Sequence, residues 1–319
     1  MNSDGIQAIE TRFRAYQLGN AGSSYSYFAG GHFTLIEARL NAKNEESIAR
    51  ELRACNKQAI DTLHITSWDR DHCNYSDLST ILERLRPAKI EYPGYPPSSD
   101  TARECLKLIG DYRIEREIAQ KAIKAICVDP EYIKGLEKND GFGYSDIFYH
   151  PKYIQEKAND NSTVKLFRKG MFNVASLGDI ESSNLSSMLR RSKIFQNQVD
   201  VLLLAHHGAD NEVNGKNLLE AVKPTITICS NDFANMYGHP HDNVTQRLRR
   251  LSIPMFTTKR GDVLIVSQQT HRKYFKVTNY QGNSTVVCEE QTFESKKFDI
   301  LNVNRDTLRA RHQRQKYWR

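Results

Sequence analysis

The chain has 319 residues, of which 39% are hydrophobic and 26% charged, with a formal net charge of +7. That balance excludes a disordered polyelectrolyte and leaves enough apolar surface for one large domain or two modest ones. The positive excess suits a polyanionic partner such as nucleic acid.

Residues 13–40 carry β-type alternation, with a turn over 19–24 and a hairpin around Gly30-Gly31. Residues 45–59 place Ile48, Leu52 and Cys55 at helical spacing. A short apolar strand over 59–65 then runs into the polar stretch 66–77, and a second helix is expected over 76–85. Residues 91–100 are rich in Pro, Gly and Ser and read as a linker. Helices follow over 101–136, broken at Asp129-Pro130, so residues 93–150 form a helical insertion expected over or beside the site. Strands return over 163–167 and 172–177, the second ending in Gly178-Asp179. A helix over 183–194 leads to the apolar strand 199–204, which ends in Ala205-His206-His207-Gly208. A helix over 215–222, a strand over 225–229, the loop Gly238-His239-Pro240-His241 and a helix over 243–251 come next. Four more strands lie near 255–258, 262–267, 274–278 and 285–290.

The chemistry gathers at strand ends. Ser67-Trp68-Asp69-Arg70-Asp71-His72 crowds two carboxylates and an imidazole directly after an apolar strand. Such a group is self-repelling unless a cation sits among it; otherwise it is a polar loop with a helix cap. Asp179, the pair His206-His207, and His239 and His241 fall at the ends of other expected strands. Loops at the C-terminal ends of strands are where α/β folds place their sites. Together the four stretches point to a metal centre.

The order of these motifs resembles the metallo-β-lactamase fold, and within it the hydrolase domain of the ComEC/Rec2 DNA-uptake proteins of bacteria. Thr66-Ser67-Trp68-Asp69-Arg70-Asp71-His72 is similar to that family's Thr/Ser-His-x-Asp-x-Asp-His stretch. Asn161-Ser162, Gly178-Asp179, His206-His207-Gly208 and Gly238-His239-Pro240 follow in the same order, over roughly residues 12–268. The resemblance implies an α/β fold, the αββα sandwich, over residues 1–304 with the helical insertion, followed by a basic tail, 305–319. It implies one or two divalent ions, manganese or zinc, and a metal-activated water that cleaves a phosphodiester of nucleic acid. Asp69, Asp71, His72, Asp179 and a histidine of the 206–207 pair would be the ligands. His207 is preferred because it precedes the glycine. Asp179 would bridge two metals, Asp71 would belong to the catalytic centre, and His239 would protonate the leaving oxygen or bind phosphate.

The chain departs from the family's pattern at three places. Ser67 stands where a ligand histidine is usual and leaves a weak or vacant position. Gln17-Leu18-Gly19-Asn20-Ala21-Gly22 replaces Asp-x-Gly-x-Gly-Asp, and Ile36-Glu37-Ala38-Arg39 replaces Ile-Asp-x-Gly. Two other readings therefore stand beside the nuclease: a phosphodiesterase of cyclic nucleotides or other small phosphoesters, and a degenerate binding subunit of a larger defence or DNA-processing complex.

Six cysteines without a Cys-x-x-Cys spacing read as reduced thiols; Cys73 adjoins a candidate ligand. No apolar run reaches the ~20 residues that cross a bilayer, and no signal peptide is evident, so the expected setting is cytoplasmic with no membrane partner. In the tail, Arg309, Arg311, Arg314, Lys316 and Trp318 interleave cations with an aromatic ring, a pattern that neutralises phosphates and stacks on bases. A solvated segment or a protein-docking tail has the same composition.

Overall fold

Two mixed β-sheets face each other in the computed structural model, which describes residues 9–137, 145–149, 153–232, 237–268, 273–282 and 284–303. The first sheet has nine strands. Its spatial order is β15 (Val287–Glu294), β14 (Tyr274–Tyr280), β13 (Val263–Ser267), β1 (Thr11–Ala15), β2 (Tyr25–Ala29), β3 (His32–Ile36), β4 (Thr62–His64), β5 (Lys89–Pro93) and β6 (Lys124–Val128). The second has six, ordered β12 (Met255–Thr257), β11 (Ile226–Cys229), β10 (Val201–Leu203), β9 (Val174–Ser176), β8 (Val164–Phe167) and β7 (Ile147–Tyr149).

Alternation along the strands builds the layers. Tyr25, Tyr27 and Ala29 of β2 turn inward, as do Val201 and Leu203 of β10, and they meet Phe13, Phe172, Ile228 and Phe275 in the apolar layer between the sheets. Residues of opposite parity face the helices. Leu63 and Ile90 pack against α1 (Glu45–Ala54), α2 (Tyr75–Thr80) and α3 (Asp100–Ile118). Leu166 and Leu202 pack against α5 (Ser183–Arg191), α6 (Lys193–Gln198), α7 (Lys216–Val222) and α8 (Asp242–Arg250). The result is the expected α/β sandwich of four layers.

Several expected boundaries shift for local reasons. The helix expected to reach residue 59 ends at Ala54, and Asn56 turns left-handed at φ 53°. The helix expected over 183–194 is two, because Ser192 adopts an extended conformation and its hydroxyl caps the second. Residues 93–150 are not helical throughout. Between α3 and α4 (Pro130–Glu137), β6 pairs parallel with β5 and extends the first sheet. Helix α3 buries Ala102, Cys105, Ile109 and Tyr112 against the sheet's outer face, so it is not a lid on the site. No helix among the described residues is long and apolar enough to cross a membrane. The described part of the C-terminal region ends in α9 (Lys296–Val303).

Candidate metal centre

The strands β3, β4 and β5 run parallel, as do β9, β10 and β11, so their C-terminal ends gather at one edge of the sandwich. The loop after β4 brings Asp71 and His72, the turn after β9 brings Asp179, and the chain after β10 brings His207. One ligand atom from each lies within 4.8 Å of every other. His72 Nε2 is 2.9 Å from Asp179 Oδ2, and His207 Nε2 is 3.0 Å from Asp71 Oδ2.

The local backbone makes this convergence possible. Gly178 takes φ 54°, and a Cβ there would stand 2.7 Å from Ser162 Cβ. Only glycine lets the end of β9 approach this closely and aim Asp179 inward. His206 and His207 both adopt left-handed conformations, φ 47° and 55°. Two such non-glycine residues in succession are costly, about 1–3 kcal/mol each. The turn sends the two rings apart. His207 faces Asp71, while His206 Nδ1 meets Glu181 Oε1.

Outer contacts fix the rings. Glu37 is buried, accepts from the Thr66 amide at 3.0 Å and the Thr66 hydroxyl at 2.6 Å, and lies 3.2 Å from His72 Nδ1. A carboxylate there holds the His72 proton on Nδ1 and turns Nε2 to the centre. His207 Nδ1 donates to the Ser230 carbonyl at 3.0 Å, which likewise leaves Nε2 free to ligate. Glu37 thus keeps a carboxylate at the position where the motif usually has aspartate. Arg39, where glycine is usual, reaches Asp77 Oδ2 at 2.9 Å and donates to the Ala21 and Arg70 carbonyls at 2.9 and 3.3 Å. Its guanidinium ties the loop 20–22 to the ligand loop. The two altered motifs therefore meet in one strut.

Electrostatics agree with a cation's place. Burial alone would neutralise His72, but Asp179, Glu37 and Asp71 outweigh it and hold its imidazolium well above the usual range. Burial also opposes charge on Asp179 and Asp71, yet the neighbouring imidazoles hold both carboxyls below their ordinary values. His207 is raised against its own burial by Asp71 and Asp179. Protons here neutralise the charge that a divalent ion would neutralise. The fit shows in one atom: His72 Nε2 is buried with no aligned hydrogen-bond partner, although Asp179 Oδ2 is close. A cavity of about 10 Å³ lies among His72, Asp179, His207, Glu37 and Ser23, the size of one water or ion. These residues fit a divalent metal ion.

The remaining expected residues fall elsewhere. Asp69 is not among the converging donors of the described residues; its Oδ2 accepts from Ser67 Oγ at 3.0 Å. Ser67 is buried, and its hydroxyl is bonded to Tyr95 at 3.0 Å. His206 is turned away to Glu181, so His207 alone of the pair joins the set. The His239 ring stacks 6.5 Å from His207. Burial, then the neighbouring His241, His207 and His206, push its imidazolium down to about 4. That lowering favours the second of the two roles expected of it, holding a phosphate oxygen through its N–H. Arg309, Arg311, Arg314, Lys316 and Trp318 lie outside the described residues. Glu37, Arg39, Tyr95 and Glu181 are the site residues that spacing alone did not single out; only Glu37 and Arg39 left a signal, as departures from a pattern.

No family model matches the chain. ComE operon protein 3 of Bacillus subtilis is 25% identical over 219 residues, 67% of this chain and 25% of that protein. Competence protein ComA of Neisseria gonorrhoeae is 23% identical over 263 residues, 81% of this chain and 33% of that protein. The chain thus spans a quarter to a third of the length of these curated relatives. Among solved structures, the metallo-β-lactamase-fold protein YhfI of Bacillus subtilis aligns with 78% of this chain and 98% of its own, at 11% identity and a TM-score of 0.46. With its paired mixed sheets and its donors at the strand ends, the chain is a metallo-β-lactamase-fold protein distantly related to the competence proteins of these two bacteria.

Proposed function

We propose that the protein is a metal-dependent hydrolase that cleaves phosphodiesters of nucleic acid. The observation that carries this reading is the convergence of Asp71, His72, Asp179 and His207 at the strand ends. A divalent cation, when bound, favours ionisation of water and stabilises charge on a phosphoryl oxygen. Two imidazoles and two carboxylates suit zinc or manganese. Glu37 and the Ser230 carbonyl orient the two rings, Arg39 holds the ligand loop, and neutral His239 offers an N–H to a phosphate oxygen.

Substrate shape and charge support a polymer over a small, enclosed ester. The enclosed cavity admits only an ion, whereas a separate open cleft of about 660 Å³ lies beside Glu181, the partner of His206. Lys157, Lys216 and Arg247 line it together with Glu181, Asp210 and Glu212, so the cleft supplies room, while the charge argument rests on the chain as a whole. The net charge of +7 and the tail residues Arg309, Arg311, Arg314, Lys316 and Trp318 add sequence-independent attraction for phosphates.

The test is hydrolysis of DNA, RNA, a cyclic nucleotide and a generic phosphodiester, with manganese or zinc, by the native chain and by Asp179→Ala. The variant is expected to lose bound metal and, together with it, activity by roughly 100-fold or more. A preference for the cyclic nucleotide would replace the substrate, and a metal-free, inactive native chain would leave the binding-subunit reading.

A further inference from the structure

Ser67 and Asp69 share a motif with Asp71 and His72, yet neither joins the four donors. The Ser67 hydroxyl and Asp69 Oδ2 are bonded to each other. The Ser67 hydroxyl donates to Asp69 Oδ2 at 3.0 Å, so its one proton is used. Its oxygen therefore accepts from the Tyr95 hydroxyl, also at 3.0 Å. The Tyr95 oxygen accepts in turn from the Trp68 amide at 3.0 Å, and the Tyr95 carbonyl accepts from the Trp68 indole at 3.0 Å. Each hydroxyl carries a single proton, so the direction is forced from Trp68 through Tyr95 and Ser67 to Asp69.

Tyr95, Ser67 and Trp68 are all buried, and the chain of bonds is closed to water along most of its length. Burial holds the Tyr95 phenol in its protonated form, in which it is no ligand for a cation. Ser67 is neutral, and His206 is paired with Glu181.

We propose that this centre takes one divalent cation, and that Tyr95 is the positioning residue responsible: through Ser67 its hydroxyl keeps the Asp69 carboxylate in a hydrogen bond and away from a second ion. The inference rests on the metal-centre reading above and is independent of the substrate.

The test is titration of the chelator-stripped full chain with manganese, followed by mass spectrometry and electron paramagnetic resonance. The native chain is expected to bind one ion with the spectrum of isolated manganese. Tyr95→Phe removes the hydroxyl and keeps the ring; Ser67→Ala breaks the same chain from its other side, should the first variant fold poorly. In either, a second ion with a spin-coupled signal is expected at manganese concentrations roughly 10-fold or more below those the native chain needs. Two coupled ions in the native chain would overturn the proposal, as would second-site uptake unmoved in both variants. A native chain that binds no manganese would remove the metal centre itself, a different failure from a wrong substrate, because no substrate is present.

Discussion

Around the four donors, the second contact of each ring decides what the ring can do. His72 shows this most clearly, since its Nδ1 faces Glu37 and its Nε2 faces Asp179. Glu37 itself sits at φ 69°, an uncommon conformation for a non-glycine residue, at the end of β3. That strain is repaid by two hydrogen bonds from Thr66 and by the charge placed beside the imidazole. Glu37→Gln keeps the size but removes the charge and turns one of the two accepting oxygens into an NH2 donor. Manganese affinity, measured by competition with a fluorescent chelator, is expected to fall about 10- to 100-fold while the fold persists. An unaltered affinity would mean that Thr66 alone orients the ring. His207 and His206 differ for the same reason. One ends on a backbone carbonyl and the other on a carboxylate, and nothing in two adjacent histidines distinguishes them before the turn at φ 47° and 55° is known.

The loops that follow the strands carry both the site and the departures from the family's pattern. Gly22 has φ 132°, and a Cβ there would lie 2.2 Å from Arg39 Nη1 and 2.6 Å from the Asp71 carbonyl. Gly22→Ala is expected to cost roughly 1–3 kcal/mol in denaturant unfolding and to disturb the ligand loop. Arg39→Ala should relieve part of the clash, so the double variant should lose less than the two single losses added together. Strict additivity would sink the coupling drawn between the two altered motifs. At this scale the sequence was partly legible. Apolar strands ending in Asp, His and Gly marked where donors gather, because period-two alternation and strand-end chemistry are local signals. Strand β6 was missed because Lys124–Val128 is only five residues long and lies between two helical patterns. Tyr95 was missed because it sits in a Pro-rich linker, where nothing local ties it to Ser67, 28 residues away.

Closing the sandwich depends on buried polar staples as well as on apolar burial. Asp200, beside β10, accepts from the Asn173 amide at 2.8 Å and from the Lys296 amide at 2.7 Å, so it caps the start of α9 onto the second sheet. Lys297 is buried beside it and donates to the Arg168 and Gly170 carbonyls. Burial, offset in part by Asp200, pushes the Lys297 ammonium down from 10.5 to about 7. Between those values the unfolded chain binds a proton that the native chain does not, so stability rises with pH through this window and the penalty is complete below about 7. Thiols work in the opposite sense: burial raises Cys55 and Cys229 from 9.0 to about 12, which removes stability above about pH 9. The range from about pH 7 to 8.5 lies below the thiols; there the raised His72 and His207 remove stability as pH rises, while the lysine's own contribution should grow by roughly 1–2 kcal/mol, so it is read as a difference from a variant that lacks it. Lys297→Met leaves two carbonyls without this donor and should be less stable than the native chain at pH 8.5. Between the two pH values its stability should nevertheless rise less, or fall more, than that of the native chain. The measurement is urea unfolding of both proteins at each pH, read as the difference in slope and not in level. Equal slopes would show that Lys297 keeps its proton in the native state, and that the C-terminal region is held to the second sheet by a buried charge.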